Sequence, residues 1–221
     1  MTSITVHLLR HGEVHNPDRV LYGRLEGFGL SELGQQMAER IAEYFLERRQ
    51  ITGRLPVYLG SSPLQRAQET AAPLAKALNL PVNVDDRLLE AENRFEGLSN
   101  VKRQLRYPHY WPLLRNPMKP SWGEPYRDQV ARMVAGIHEA HAQAYTLGGD
   151  GAEAVLVSHQ LPIWVTRLAA ESAPLWHDPR QRECSLTSLT SFNFESGVLA
   201  GVDYSEPNED LLAHAANLPG A

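Results

Sequence analysis

Two histidines and two arginines of this chain lie at the ends of short apolar runs or a few residues after them. Such positions can expose reactive side chains in a fold. His11 follows Arg10 in the segment Arg-His-Gly-Glu, Arg66 closes the segment Ser-Ser-Pro-Leu-Gln-Arg, and His159 follows the segment Leu-Val-Ser. A guanidinium stays charged and can bind two phosphate oxygens at once, and a neutral imidazole can act as a covalent nucleophile. If the fold gathers these four side chains, the combination suits phosphoryl transfer.

The apolar runs before these residues predict the strands of a parallel sheet. Residues 4–9 form a short, mostly apolar run that is rich in β-branched residues and leucine. The runs at 57–60 and 154–158 are also short and mostly apolar. In an open parallel sheet, ligands bind in the crevice beyond the carboxyl ends of the strands. We therefore expect the two histidines and two arginines to converge on one place.

Helical patterns alternate with these strands, which predicts the α/β class. Apolar residues recur every three or four positions from Leu33 to Phe45, with Ser31 as the expected N-cap, and Ser62 and Pro63 are expected to open a second helix. Further elements are predicted at 81–84, 126–145, 186–204 and from about 162. The expected architecture is a three-layer sandwich with a largely parallel central sheet, helices on both faces and an inserted lid segment.

The segment 99–125 is the expected lid, because it is rich in proline and has little periodicity. It carries five basic residues and one acid, so its net charge of +4 leaves −9 on the rest of the chain, whose total is −5. A basic lid over an anionic substrate would raise the local substrate concentration. The chain of 221 residues is expected to form one domain, with a frayed tail after about residue 206.

The composition argues against several other classes of protein. A net charge of −5 does not suit a nucleic-acid partner. Cys184 is the one cysteine, and no His/Cys cluster has the spacing of a metal site, so we expect neither a metal nor a cofactor. No secretory signal and no run of 18 apolar residues is present, which predicts a cytoplasmic protein without a membrane partner.

The reactive segments resemble the histidine phosphatase superfamily, which includes the cofactor-dependent phosphoglycerate mutases. The resemblance is specific because Arg-His-Gly-Glu occurs together with Ser-Ser-Pro-Leu-x-Arg-Ala-x-x-Thr-Ala. The matching segments follow the family's order and lie at 9–13, 22–23, 30–34, 61–71, 95–97 and 157–159. By this resemblance His11 is the nucleophile that becomes phosphohistidine, Arg10 and Arg66 clamp the phosphate, and His159 stabilises charge on the transferring phosphoryl group.

The resemblance also suggests residues that bind the substrate. Asn16 and Gly23 are similar to polar contacts at the pocket rim, although the family spaces the Asn six residues after the nucleophile and here the spacing is five. Arg24 follows Gly23 and is a further candidate. Glu124 lies where related phosphatases have a Gly-Glu-Ser segment, and Gln160 stands where the family commonly has Gly.

The general acid has two candidates in the sequence. The family has a Glu a few residues ahead of Gly-x-Trp-Glu-Gly, and here the segment reads Leu-Leu-Glu-Ala-Glu-Asn-Arg-Phe-Glu-Gly. Glu90 follows the apolar pair as the family's acid does, but the first Gly is missing and the spacing is short by one. We favour Glu90, and Glu92 is the alternative.

These observations predict a metal-independent phosphomonoesterase that hydrolyses a small anionic phosphate ester through phosphohistidine. The partner is then a small-molecule phosphomonoester, and the family suggests a possible homodimer. Two alternatives use the same residues. One is phosphoryl transfer of the phosphoglycerate mutase type, and the other is a catalytically impaired protein that binds phospho-ligands. Hydrolysis is favoured because the chain has Glu-Ala-Glu-Asn-Arg where the mutases have Glu-Arg-x-Tyr-Gly.

Overall fold

The computed structural model describes residues 2–99, 106–108, 111 and 123–215. The strands in these ranges are β1 (Ser3–Arg10), β2 (Pro56–Ser61), β3 (Val82–Val84), β4 (Glu153–Ser158), β5 (Leu189–Glu195) and β6 (Val198–Ser205). The α-helices are α1 (Glu32–Thr52), α2 (Gln65–Leu78), α3 (Tyr126–Gly148), α4 (Gln160–Ala170) and α5 (Glu209–Leu212). Short 3₁₀ turns occupy Asp86–Leu88 and Pro179–Gln181.

The strands form one sheet in the order β3-β2-β4-β1-β5-β6. The first four of these are parallel to one another, whereas β5 and β6 form an antiparallel hairpin at one side. Every residue of β4 is buried, as expected for a central strand covered on both faces. The prediction of a largely parallel sheet is confirmed.

Helices cover both faces of the sheet. On one face, Ile41 and Phe45 of α1 and Leu74 of α2 pack with the β-strand side chains of Leu9 and Val157. On the other face, helices α3 and α4 pack against side chains of β1, β4 and β5. The three-layer α/β sandwich is therefore confirmed. Within the described ranges, no helix is both long enough and apolar enough to cross a membrane.

The helix starts agree with the sequence at α1 and differ at α2. Ser31 caps α1 as predicted, because its hydroxyl accepts a hydrogen bond from the backbone nitrogen of Gly34 at 3.0 Å. The prediction that Ser62 caps the second helix is wrong, since α2 begins at Gln65 and Leu64 occupies the cap position. The Ser62 hydroxyl instead lies 2.8 Å from the His159 ring, which places it in the site rather than at the helix end.

The predicted lid falls mostly outside the described residues, and this includes Lys102, Arg103, Arg115 and Lys119. Its described ends are tied to the body by isolated bridges from Ser99 to Val20 and from Gly123 to Asn93.

The tail differs from the expected fraying over its first part. Asn208 is buried, and its side-chain nitrogen donates to the Met37 carbonyl at 2.9 Å and to the Thr187 hydroxyl at 2.8 Å. These long-range bonds hold the start of the tail against α1, which the polar sequence of this region did not indicate.

Two glycines let α1 approach the loop that follows β1. A Cβ atom on Gly34 would overlap the carbonyl oxygen of Glu13, and one on Gly12 would lie 2.7 Å from the carbonyl oxygen of Gly34. Such separations are too short for real side chains, so both positions need glycine. The first turn of α1 thereby fixes the backbone of residues 11–13.

Gly34→Ala is therefore expected to destabilise the protein, although alanine normally stabilises a helical position by about 1 kcal/mol over glycine. The forced shift of the 11–13 backbone should lower the free energy of unfolding by about 1–3 kcal/mol, measured by urea denaturation. Gln36→Ala, at an exposed position of the same turn, is the control and should change it by less than about 0.5 kcal/mol. A Gly34→Ala protein as stable as the parent would contradict this packing.

Candidate active site

The carboxyl ends of β1, β2 and β4 bring the predicted reactive residues together. The backbone nitrogen of His11 donates to the Ser158 carbonyl at 3.2 Å, and that of Ser62 donates to the Val157 carbonyl at 2.9 Å. The imidazole rings of His11 and His159 lie 5.1 Å apart between their centroids. The convergence expected from the sheet topology is present.

The protonation of the His11 ring is set by a neighbouring carbonyl. Nδ1 lies 2.8 Å from the carbonyl oxygen of Gly12, and because a carbonyl can only accept, Nδ1 carries the proton. Nε2 therefore holds the lone pair, and it has no hydrogen-bond partner within the described part of the chain. Burial, and then the cations Arg66 and Arg10, place the pKa of His11 well below its usual value of 6.5. The ring is thus neutral near pH 7.

Thr70 fixes the backbone that holds this ring. Its hydroxyl accepts from the backbone nitrogen of Gly12 at 3.0 Å and donates to the carbonyl of Arg66 at 2.7 Å. The hydroxyl therefore joins the loop after β1 to the first turns of α2. The matching family segment includes Thr70, but sequence reasoning gave it no role.

The two arginines are held by backbone carbonyls. Arg66 is 1% exposed and donates to the Gly23 carbonyl at 2.6 Å, while Arg10 donates to the Cys184 carbonyl. Among the described residues, no carboxylate lies within ion-pair distance of Arg66, and its Nε has no hydrogen-bond partner. An anion entering the site would therefore meet a guanidinium that no described carboxylate already pairs with.

The ring of Tyr22 packs against the guanidinium of Arg66, and sequence reasoning missed Tyr22 as a site residue. The Arg66 guanidinium lies 4.6 Å from the centre of the Tyr22 ring, which itself stacks on Phe28 at 5.2 Å. The Tyr22 hydroxyl is buried without a hydrogen-bond partner in the described ranges, and burial raises its pKa to about 12. The hydroxyl is therefore protonated and able to donate a hydrogen bond.

His159 offers a second neutral imidazole. Its Nε2 lies 2.8 Å from the Ser62 hydroxyl, whereas its buried Nδ1 has no partner within the residues described. Burial first, and then Arg66 and His11, lower the pKa of His159 well below 6.5. Nδ1 is thus available to hydrogen-bond a ligand beside His11.

The structure separates the two candidate acids. Glu90 is buried, and one of its carboxyl oxygens accepts from the backbone nitrogen of Ala91 at 2.8 Å. Burial raises the pKa of Glu90, while the hydrogen bond from Ala91 and the charges of Arg66, Arg182 and Arg10 oppose that rise. The Glu92 side chain is 69% exposed and pairs with Arg24 at 3.0 Å. Only Glu90 lies inside the site.

Arg24 and Glu124, both predicted to bind substrate, are brought together but bind each other. The Arg24 guanidinium donates to the Glu90 carbonyl at 2.6 Å, to Glu92 at 3.0 Å and to Glu124 at 3.1 Å. Glu124 also pairs with Arg132 of α3 at 2.8 Å. This network ties the segment of the acid to the start of α3 at the rim of the site.

Asn16 and Gly23, both predicted to bind substrate, make hydrogen bonds that involve the backbone of the loop after β1. The Asn16 side chain both accepts from the Val20 nitrogen at 3.0 Å and donates to the Val20 carbonyl at 2.8 Å, so it braces its own loop. Gly23 has φ of +40°, and a Cβ there would overlap the carboxylate of Glu96. The Gly23 carbonyl that accepts from Arg66 is thus held by a residue with positive φ, a conformation that favours glycine.

Arg182 is a further cation that sequence reasoning missed. It is partly buried and donates to the side-chain oxygen of Gln160 at 3.4 Å, while Gln160 donates to the Cys184 carbonyl at 3.4 Å. Arg182 lies between α4 and β5 in a segment that matches no motif, so the sequence held no signal for it. Within the ranges that the structure describes, no group of three or more His, Cys, Asp or Glu residues is placed to hold a metal ion.

Comparisons with known proteins identify the family of the chain. A family model described as the histidine phosphatase superfamily (branch 1) matches residues 6–206. An uncharacterized protein of Mycobacterium tuberculosis is 46% identical over 204 residues, which are 91% of this chain and 96% of the relative. A glucosyl-3-phosphoglycerate phosphatase of Mycolicibacterium vanbaalenii is 30% identical over 158 residues, 69% of this chain and 67% of the relative.

Solved structures show the same fold. A mycobacterial glucosyl-3-phosphoglycerate phosphatase in complex with inorganic phosphate is 28% identical and has a TM-score of 0.70, over 94% of this chain and 98% of that one. With the sheet order, the paired imidazoles and the family match over residues 6–206 in agreement, the chain belongs to the histidine phosphatase superfamily.

Proposed function

We propose that this protein hydrolyses small anionic phosphomonoesters through a covalent phosphohistidine on His11. The observation that carries the proposal is the buried His11 Nε2, whose lone pair has no partner in the described chain and lies in the field of Arg10 and Arg66. A neutral nitrogen nucleophile next to fixed cations matches what an attack on a phosphate dianion requires.

In the first step, the Nε2 lone pair forms a bond to phosphorus while the ester P–O bond breaks. Arg10, Arg66 and the Nδ1 side of His159 stabilise the charge on the phosphoryl oxygens. The leaving oxygen takes its proton from Glu90, whose pKa is raised by burial so that the acid form persists to higher pH than for an exposed Glu. The alcohol then departs.

In the second step, Glu90 is ionised and accepts a proton from water as the water oxygen bonds to phosphorus. The P–N bond breaks, its electron pair returns to Nε2, and inorganic phosphate leaves. The three arginines whose charges reach Glu90 stabilise this ionised form, so one carboxyl serves both steps. Glu92 is unsuited to either step because its side chain is 69% exposed and paired with Arg24.

The relatives support hydrolysis as the outcome. The relative from Mycolicibacterium vanbaalenii is named as a phosphatase of glucosyl-3-phosphoglycerate, which is a small anionic ester. Retention of the phosphoryl group, as in a mutase, would require the second step to be blocked. The experiment below separates these two outcomes.

His11→Ala is expected to reduce phosphate release by at least about a thousandfold, because it removes the nucleophile itself. Release is measured on a panel of phosphomonoesters in the presence of EDTA, and the covalent intermediate is sought by mass spectrometry after a rapid acid-free quench. His15→Ala, at an exposed histidine four residues away, is the matched control and should keep the activity of the parent. Full activity of His11→Ala would refute the proposal. Isomerisation of 3-phosphoglycerate without phosphate release would support a mutase, and binding without either reaction would leave a ligand-binding protein.

Glu90→Gln is expected to lower kcat by about 10²–10⁴-fold on alkyl phosphates, whose leaving oxygen needs a proton. Because Glu90 must be protonated and its pKa is raised, kcat/KM of the parent should fall as pH rises through that raised pKa. The loss on the acid side should lie well below pH 6.5, since protonation of His11 is suppressed.

The pH profile of Glu90→Gln should lack the alkaline fall, while Glu92→Gln should keep the profile of the parent. A Glu92→Gln variant that loses the alkaline fall, beside a Glu90→Gln variant that retains it, would reverse the assignment of the acid.

A further inference from the structure

Beyond the effect of its charge on Glu90, Arg182 has an arrangement of hydrogen bonds that the two-step reaction does not use. Its Nε donates to Nε2 of His177 at 2.8 Å, and one of its terminal nitrogens donates to Gln160 at 3.4 Å. The other terminal nitrogen has no hydrogen bond to any described residue, and no described carboxylate lies within ion-pair distance. The guanidinium is therefore hydrogen-bonded to neutral groups, and the main opposite charge that acts on it is that of Glu90.

The His177 contact shows that this orientation is fixed. Nδ1 of His177 donates to the Leu175 carbonyl at 2.8 Å, so Nε2 holds the lone pair that accepts from Arg182. Burial lowers the pKa of His177, which keeps the ring neutral and able to accept. A neutral acceptor aligns Arg182 without cancelling its charge.

A short chain of hydrogen bonds connects Arg182 to the phosphate clamp. Gln160 accepts from Arg182 and donates to the Cys184 carbonyl, and Arg10 donates to the same carbonyl oxygen. Gln160 is also the residue after His159, at the first position of α4. Arg182 is thus held beside the phosphoryl pocket, one side chain away from Arg10.

Two other arginines at the described part of the rim are paired with carboxylates. Arg24 pairs with Glu92 and Glu124, and Arg132 pairs with Glu124. Arg182 differs from both because it has no ion pair among the described residues. Burial lowers its pKa, and the charge of Glu90 only partly opposes that shift. Arg10 and Arg66 already match the two charges of a phosphomonoester, so Arg182 adds a positive charge that this group does not require.

We propose that Arg182 and Gln160 form a second anion subsite beside the phosphoryl pocket, which binds an anionic group on the leaving part of the substrate. The proposal rests on the proposed phosphatase function and narrows its substrate class to phosphomonoesters that carry a second anion. The guanidinium fork binds planar carboxylates and phosphate-type groups alike, so the probes below carry one or the other.

The test compares phenyl phosphate with 3-carboxyphenyl phosphate and 3-phosphonophenyl phosphate. The parent should show a kcat/KM at least about tenfold higher for one of the two anionic probes than for phenyl phosphate, as a charge-assisted hydrogen bond provides. Arg182→Gln should bring that ratio close to one. The ratio is the readout, because a general loss of phosphoryl transfer affects all three probes equally.

Arg180→Gln is the matched control. Arg180 lies two residues away, its side chain is 89% exposed, and its ion pair is with Asp178. Removing this charge should leave both the activity and the ratio unchanged, which separates the subsite from long-range attraction of anions. If Arg182→Gln does not fold, Arg182→Lys replaces it. Lysine keeps the charge but lacks the planar guanidinium fork that binds two oxygens at once, so the ratio should still fall.

A parent protein without preference for either anionic probe would overturn the proposal, and so would an Arg182 variant that keeps the preference. Binding of the same probes to His11→Ala, measured by calorimetry, tests the subsite independently of turnover. One outcome separates the two proposals. If no probe is hydrolysed, but His11→Ala binds an anionic probe at least about tenfold more tightly than phenyl phosphate, the phosphatase proposal fails. The subsite then stands, provided that the preference is lost when Arg182→Gln is added. Equal binding of all three probes would remove the subsite as well.

Discussion

The hydrogen bond between Nδ1 of His11 and the Gly12 carbonyl is the interaction on which the rest of the site depends. It places the proton on one ring nitrogen and leaves the other nitrogen with its lone pair. Thr70 holds the Gly12 nitrogen, and α1 approaches the same loop closely at Gly34, so both contacts support the position of that carbonyl. The helices on this face of the sheet therefore act on the chemistry through one residue, Gly12.

Burial and fixed cations work together at the two imidazoles and against each other at the acid. Both effects lower the pKa values of His11 and His159, so both rings stay neutral. At Glu90, burial favours the protonated form while nearby arginines favour the ionised one. A carboxyl balanced in this way suits alternate service as an acid and as a base, which a strongly paired carboxylate could not provide.

The sequence predicted those parts of the site that depend on local patterns. The apolar runs located the strand ends, and parallel topology then required His11 and His159 to converge, as the structure shows. The interactions that sequence reasoning missed join segments far apart in the chain. The pairing of Arg24 with Glu124 could not be read from either segment alone, and Arg182 lies in a segment without periodicity or motif. Ser62 carried the local signal of a helix cap, but its contact with His159 took precedence.

The state of the His11 ring tests the central claim most directly. Long-range ¹H–¹⁵N NMR of histidine-labelled protein, with His11 assigned by comparison with a His11→Ala sample, reports which ring nitrogen carries the proton. The account predicts a neutral ring with the proton on Nδ1, and this state should persist on acidification well below pH 6.5. A proton on Nε2 at neutral pH, or an imidazolium that forms near pH 6.5, would contradict it.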